Sequence, residues 1–273
     1  MAGPTVIGMA TLPNPLPRLA TDPSGRSLGL QLPPGRLVDE TDDGSWHEPL
    51  LWLADKPAAP GTWKVLGAPA RRAGLLPVLV DVGGAMAGPE QWELSPGLMS
   101  YPGDHDAEEV LAEYWQEVAE DEAGVQPFGS SWPGLAGACS LAADPDTRAA
   151  QVADGLTDGA RPRLKEPRLA LVPARRSADI PAVIGWPGPL NYDSDVARLS
   201  AVLRSWEDRF GIRVTALGYD TLALSVAAPP TSTAQAEAVA VEHFAFCPTD
   251  GTTTLRAYAE ELVGATSWSF WWD

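Results

Sequence analysis

Two side chains able to ligate a metal or act as nucleophile and base stand one helical turn apart, His243 and Cys247. A zinc site needs three or four N, S or O ligands. Only Asp250 lies near this pair in sequence, and the chain has two cysteines, Cys139 and Cys247. Cys247 also falls near a helix C-terminus, where the dipole disfavours a thiolate. The pair therefore reads as two buried core residues, and no metal ligand set is assigned. Cys139, in Gly137-Ala138-Cys139-Ser140, has no histidine in its local sequence, and His47 and His105 sit in polar loops. Gly25-Arg26-Ser27-Leu28-Gly29 matches the nucleophile-elbow string, which requires a strand before it and a helix after it. Between Asp22-Pro23 and Pro33-Pro34 it reads as a turn. Phosphate-loop, dinucleotide and EF-hand signatures are absent. No catalytic residue and no cofactor is expected from these motifs, and whether the protein is an enzyme stays open.

Two other patterns point to binding. Glu109, Glu113, Glu117 and Asp121 follow one another at i, i+4, in a stretch (104–122) with nine acids and neither Lys nor Arg. Like charges at that spacing cost a few tenths of a kcal/mol per pair. A solvated face tolerates them most simply, and a basic partner surface is the functional alternative. A divalent metal is disfavoured, because collinear carboxylates do not converge into an oxygen cage. Trp-Pro-Gly occurs twice, at Trp132-Pro133-Gly134 and Trp186-Pro187-Gly188. Each reads as a turn that plants a Trp at a surface or seam, either as a packing anchor or as a recognition group of the kind that dominates binding hot spots. The candidate binding residues are Trp186, Asn191, Tyr192 and Asp220, with Trp132 and the acidic Glu109, Glu113 and Glu117.

The elements that position these residues divide by periodicity. The first 35 residues carry Pro13, Pro15, Pro17, Pro33 and Pro34 and exclude long helices. Leu50–Leu53 and Leu75–Val80 read as strands, with Pro77 demoting the second or placing it at an edge. Residues 104–122 form the one clear helix of the first half, capped by Asp104 or Asp106, with Ala107, Leu111, Tyr114, Trp115 and Val118 on one face. The second half begins with the strand Leu169–Val172. Asp193 or Ser194 caps a helix bearing Val196, Leu199, Leu203, Trp206 and Phe210, and Gly211 closes it. A hairpin over 212–226 turns at Gly218-Tyr219-Asp220. Ser232 and Gln235 make a capping box for a helix ending before Pro248. A short helix from about Thr254 to Val263 precedes a strand whose Trp268, Phe270 and Trp272 share one face. The expectation is an α+β protein. A β-rich N-terminal domain (1–160) precedes a ferredoxin-like, split βαβ sandwich (161–273).

Charge supports that division. The net charge is −17. Residues 1–160 hold 8 basic and 23 acidic side chains, net −15, and residues 161–273 hold 11 and 13, net −2. The basic segment Arg161, Arg163, Lys165, Arg168, Arg175 and Arg176 is expected to dock on the acidic first half. Nucleic acid and anionic membranes are disfavoured as partners, since both require a cationic face. No run of about 20 apolar residues occurs, and the N-terminus lacks the basic and apolar regions of a signal peptide. Two cysteines make no disulfide framework, so the expected compartment is the cytoplasm.

Several blocks carry a family resemblance. They are Ile184-Gly185-Trp186-Pro187-Gly188-Pro189-Leu190-Asn191-Tyr192, Leu203-Arg204-Ser205-Trp206-Glu207-Asp208-Arg209-Phe210-Gly211, Gly218-Tyr219-Asp220-Thr221-Leu222, His243-Phe244-Ala245-Phe246-Cys247-Pro248 and Phe270-Trp271-Trp272-Asp273. Together the last ~105 residues resemble the bacterial family catalogued as domain of unknown function 4253, a resemblance that implies a domain boundary and no activity, cofactor or catalytic residue. The features favour a non-catalytic protein-binding module that neutralises a basic partner, as immunity proteins do. Two alternatives remain open. One is an enzyme or small-ligand binder with a site in the interdomain cleft. The other is a structural subunit that self-associates through its aromatic strand.

Overall fold

The computed structural model describes residues 13–84, 86–119, 128–158, 164–248 and 254–272. In chain order the elements are α1 (Arg18–Thr21), β1 (Gly35–Val38), β2 (Glu40–Thr41), β3 (Gly44–Ser45), β4 (Leu51–Pro57), α2 (Thr62–Arg72), β5 (Leu76–Asp81), α3 (Ala107–Val118) and α4 (Pro145–Thr157). Then come β6 (Pro167–Val172), α5 (Ile180–Ile184), α6 (Val196–Phe210), β7 (Arg213–Leu217), β8 (Thr221–Ser225), α7 (Thr233–Phe246), α8 (Leu255–Leu262) and β9 (Ser267–Trp271). Seven strands form one sheet in the order β1-β4-β6-β5-β7-β8-β9. Its pairs are antiparallel except β5 with β7.

The α+β class holds, but the arrangement within it differs from the expected one. A split βαβ sandwich would build the second half's sheet from its own strands. Here β5, from residues 76–81, lies between β6 and β7, and β6 lies between β4 and β5. Strands from either side of residue 160 thus share one sheet, and the expected boundary itself falls outside the described residues. Local periodicity reports which segments are strands and carries no information about such non-local pairing. Pro77 sits inside the sheet rather than at its edge. It is the second residue of β5, and the ladder to β7 begins only at Leu79, so its missing N–H falls before that ladder forms.

Strand alternation sends side chains to two helical layers. Leu51, Leu53, Val78, Val80, Ala170, Val172, Leu222, Leu224, Trp268 and Phe270 join the large core beneath α3, α5, α6 and α7. Trp52 and Leu171 face the opposite side with Leu16, Leu19 and Ala70. Leu79, Leu169 and Ala216 meet Trp63 and Leu66 of α2 and Ala149 and Ala153 of α4. Among its described residues the first half therefore holds three helices longer than two turns, where one clear helix was expected. Gly67 and Pro69 interrupt the helical pattern of α2, and the buried face of α4 consists of alanines, too weakly apolar to register as a stripe.

Caps were more legible. Asp106 accepts from the backbone N–H groups of Glu108 (2.8 Å) and Glu109 (3.1 Å) to start α3. Asp195, one residue beyond the expected pair, caps α6, and Gly211 ends it in the left-handed region at φ 61°. Ser232 accepts from Gln235 N to start α7.

One buried carboxylate ties α6, α7 and the segment at Ala136 together. Glu242 of α7 is wholly buried. It accepts from Arg209 Nη1 (2.7 Å) and Nη2 (2.6 Å), from Trp206 Nε1 (2.6 Å) and from the backbone N–H of Ala136 (2.6 Å). Arg209 also donates to the Ala136 carbonyl at 2.8 Å. Removing one partner of a buried pair leaves an uncompensated charge, at a cost of roughly 3–5 kcal/mol, whereas replacing both by apolar groups is often neutral. We expect Glu242→Ala to lose about that much stability in urea unfolding and the pair Arg209→Met with Glu242→Leu to recover most of it. A loss below about 1 kcal/mol for Glu242→Ala, the range of an exposed pair, would show that Arg209 is solvated without it.

Candidate functional site

The turn after α5 sets the position of Trp186. Gly185 adopts φ 65°, and a Cβ there would lie 2.2 Å from Pro96 N, so only glycine fits. Trp186 then enters the core, where its Nε1 donates to the Gly218 carbonyl (2.8 Å) and its ring meets Trp272 edge-on at 5.5 Å. Gly188 lies flat on the indole, since a Cβ would come within 2.0 Å of it. Trp186 is thus a packing anchor. Asp220, two residues beyond Gly218, accepts from Trp271 Nε1 (3.0 Å), and its carbonyl accepts from Trp272 N (3.0 Å). The structure therefore brings Trp186 and Asp220 to one end of the sheet.

Tyr192 belongs to a second group. Its hydroxyl donates to the Ala245 carbonyl at 2.7 Å, and its ring lies 4.9 Å from that of Tyr114 on α3. Tyr114 in turn donates to Asp193. Arg198 of α6 pairs with Glu113 (2.5 Å) and Asp193 (3.2 Å), its guanidinium 5.2 Å from the Tyr114 ring centroid. Burial, then the hydrogen bond to Asp193, holds the Tyr114 phenol far above its ordinary value. Burial, then the nearby charge of Glu117, does the same for Tyr192. Both phenols remain donors, Tyr114 tying α3 to the loop before α6 and Tyr192 tying that loop to α7. Glu109, Glu113 and Glu117 are exposed on the outer side of α3, and Asn191 is exposed in the loop. Trp132 is half-buried and meets Trp115 edge-on at 6.1 Å, away from Trp186's partners. Asp121 and Asp250 lie outside the described residues.

The basic segment pairs differently from expectation. Arg168 meets Glu166 (2.5 Å), and Arg176 meets Glu207 (3.4 Å) and Asp208 (2.5 Å), all within the second half. Arg161 and Arg163 lie outside the described residues. Ion pairs between the halves come instead from Arg198 with Glu113 and from Arg213 with Asp146 (2.9 Å).

Burial disfavours the thiolate form of both cysteines. Cys247 donates to the Trp271 carbonyl at 3.1 Å, and burial pushes its thiol up to about 12. Burial also raises the Cys139 thiol. Ser27 lies in a short 3-10 turn after the left-handed Gly25, and the element that precedes it among the described residues is the helix α1. His243 packs against Trp206, Trp268 and Phe270, with Nδ1 in a 2.9 Å hydrogen bond to the Tyr258 hydroxyl. Among the described residues no three His, Cys, Asp or Glu side chains gather to hold a metal ion, and no helix is long and apolar enough to cross a membrane. Of the closing strand, Trp268 and Phe270 face the core, with Trp272 beyond them, while Trp271 is 56% exposed.

Two grooves open on the opposite side of the sheet. One, of about 460 Å³, lies between α4 and β8–β9 and includes Trp271. The other, of about 560 Å³, lies between α2 and α4. Sequence reasoning missed the α2 and α4 residues that line them, and it missed Glu242. The lone acid within Val239-Ala240-Val241-Glu242-His243-Phe244 is the available signal for a buried, paired carboxylate.

Burial lowers the folded value of His243 to about 3, against about 6.5 in the unfolded chain. The unfolded state then binds the extra proton between those values, so this contribution is full above about 6.5 and is lost as pH falls towards 3. From pH 7 to pH 5 the loss is about 2 kcal/mol at 1.36 kcal/mol per unit. We expect His243→Gln to show a correspondingly smaller drop in urea stability between those pH values, and equal drops would mean that His243 protonates freely in the folded state.

No curated protein and no solved structure matches the chain. The stretch that carries the interlocked anchors Trp186, Trp206, Arg209, Asp220 and Glu242, residues 168–273, matches the family described as a domain of unknown function, DUF4253.

Proposed function

We propose that the protein is a non-catalytic binding module that engages a basic protein surface through the outer face of α3. One observation supports this most directly. Glu109, Glu113 and Glu117 stand exposed along that helix, and among the described residues only Arg198 pairs with any of them, through Glu113. Among the described residues Glu109 and Glu117 thus have no ion-pair partner, in a chain of net charge −17. Such a face steers a cationic partner and repels nucleic acid and anionic lipid. The cysteines, whose thiolate forms burial disfavours, and the buried His243 fit a role without covalent chemistry. On this reading the module works in a reducing cytoplasm, where its two free thiols persist. It masks the basic surface of its target in the manner of an immunity protein.

Raising ionic strength from about 0.1 M to about 1 M shortens the screening length from about 10 Å to about 3 Å. In a pull-down from the native cytoplasm we expect the wild-type chain to retain one basic protein at low salt and release it at high salt. The variant Glu109→Lys with Glu117→Lys, checked for folding by circular dichroism, should not retain it at either. Retention indifferent to salt and to charge reversal would refute the reading.

A further inference from the structure

The chain holds 19 Lys and Arg against 36 Asp and Glu, yet the groove between α2 and α4 reverses that balance. Lys64, Arg71, Arg72 and Arg213 line it, with Asp146 and Asp154 as its acids. Both acids are already engaged. Asp146 is clamped between Arg71 (2.7 Å) and Arg213 (2.9 Å), and Asp154 accepts from Gly61 N (2.7 Å). Lys64 and Arg72 have no ion-pair partner among the described residues. Helix stability accounts for part of this set, because cations in the last turn of α2 complement its dipole. That suits Arg71 and Arg72. It fails for Lys64 in the first turn, where a cation is unfavourable.

The floor is apolar. Trp63 is buried beneath the groove, with Pro77 beside it. Gly67 keeps the space open, since a Cβ there would meet only Pro77 and Trp63, at 3.8 Å. A cavity of this size with an apolar floor and a few charged groups along its wall has the composition of a small-molecule site. We propose that this groove binds a small organic anion, a planar or apolar body seated on Trp63 and Pro77 with its phosphate or carboxylate group held by Lys64 and Arg72. The site lies on the opposite side of the sheet from α3, so it is independent of the protein-binding face.

The probes are phenyl phosphate, benzoate and inorganic phosphate, titrated calorimetrically into the full chain. We expect saturable one-to-one binding of phenyl phosphate or benzoate, and the tighter of the two identifies the anionic group. Lys64→Ala with Arg72→Ala should weaken it about tenfold or more, as loss of charge-assisted hydrogen bonds does. Gly67→Leu, which fills the apolar part and leaves the cations in place, should weaken the two aryl probes and spare inorganic phosphate. Arg148→Ala, in the neighbouring groove, should change nothing. Absence of saturable binding by both aryl probes would overturn the proposal, as would binding that the Lys64/Arg72 double variant leaves intact.

Discussion

A carboxylate without water must find all its hydrogen bonds within the protein, and Glu242 is such a group. Four donors meet it, three from side chains of α6 and one from the backbone at Ala136. Each fixes something that apolar packing alone leaves loose. The fork of Arg209 sets the rotation of α6 against α7. The Ala136 amide, with the Cys139 N–H donating to the Arg209 carbonyl at 3.1 Å, draws a segment of the first half onto that pair. The indole of Trp206 is held at one end by its N–H, and its ring sits 4.7 Å from Phe246 and 5.6 Å from both Trp268 and Phe270. Hydrophobic contact is non-directional, whereas a fully satisfied polar network is satisfied in one arrangement only. The aromatic cluster therefore takes its register from Glu242.

Legibility followed the range of the interaction. The caps at Asp106, Ser232 and Gly211, and the alternation Trp268, Phe270, Trp272, are local and could be read from neighbouring residues. α4 could not, because Ala149 and Ala153 bury as effectively against β7 as larger residues do while contributing little apolar signal. The insertion of β5 between β6 and β7 depends on partners about ninety and a hundred and thirty-five residues away, and no local pattern encodes it. Among the candidate binding residues, Trp186 was singled out for its type and its turn, and the turn serves burial. The glutamates of α3 were singled out for spacing, and the structure leaves them exposed.

The uneven charge has a structural counterpart. The second half is near neutrality by count, and its arginines are largely paired within it, Arg204 with Asp179 (2.5 Å), Arg209 with Glu242 and Arg176 with Glu207 and Asp208. Its remaining contribution to the first half is small, Arg198 to α3 and Arg213 to α4. The acidic surplus belongs to the first half, with Glu108, Glu109, Glu113 and Glu117 on α3, while Lys64, Arg71 and Arg72 of α2 line the groove beside α4. One side of the sheet presents anions and the other a cationic cleft, a separation that net charge alone conceals.

The stretch that matches the family begins at Arg168, in β6, and ends beyond β9. Within it β7, β8 and β9 form a continuous antiparallel run, but β6 is not their neighbour. Six residue pairs join β6 to β5, and Leu79 and Val80 of β5 carry the ladder on to β7. Taken without the first half, the stretch would leave β6 separated from the other strands and three ladders unfilled, those of β4 with β6, β5 with β6 and β5 with β7, exposing backbone groups that here are paired. It would also lose the Ala136 donor to Glu242. The second half is therefore not a self-contained sandwich in this chain. Its sheet and its buried carboxylate are both completed by residues that precede it.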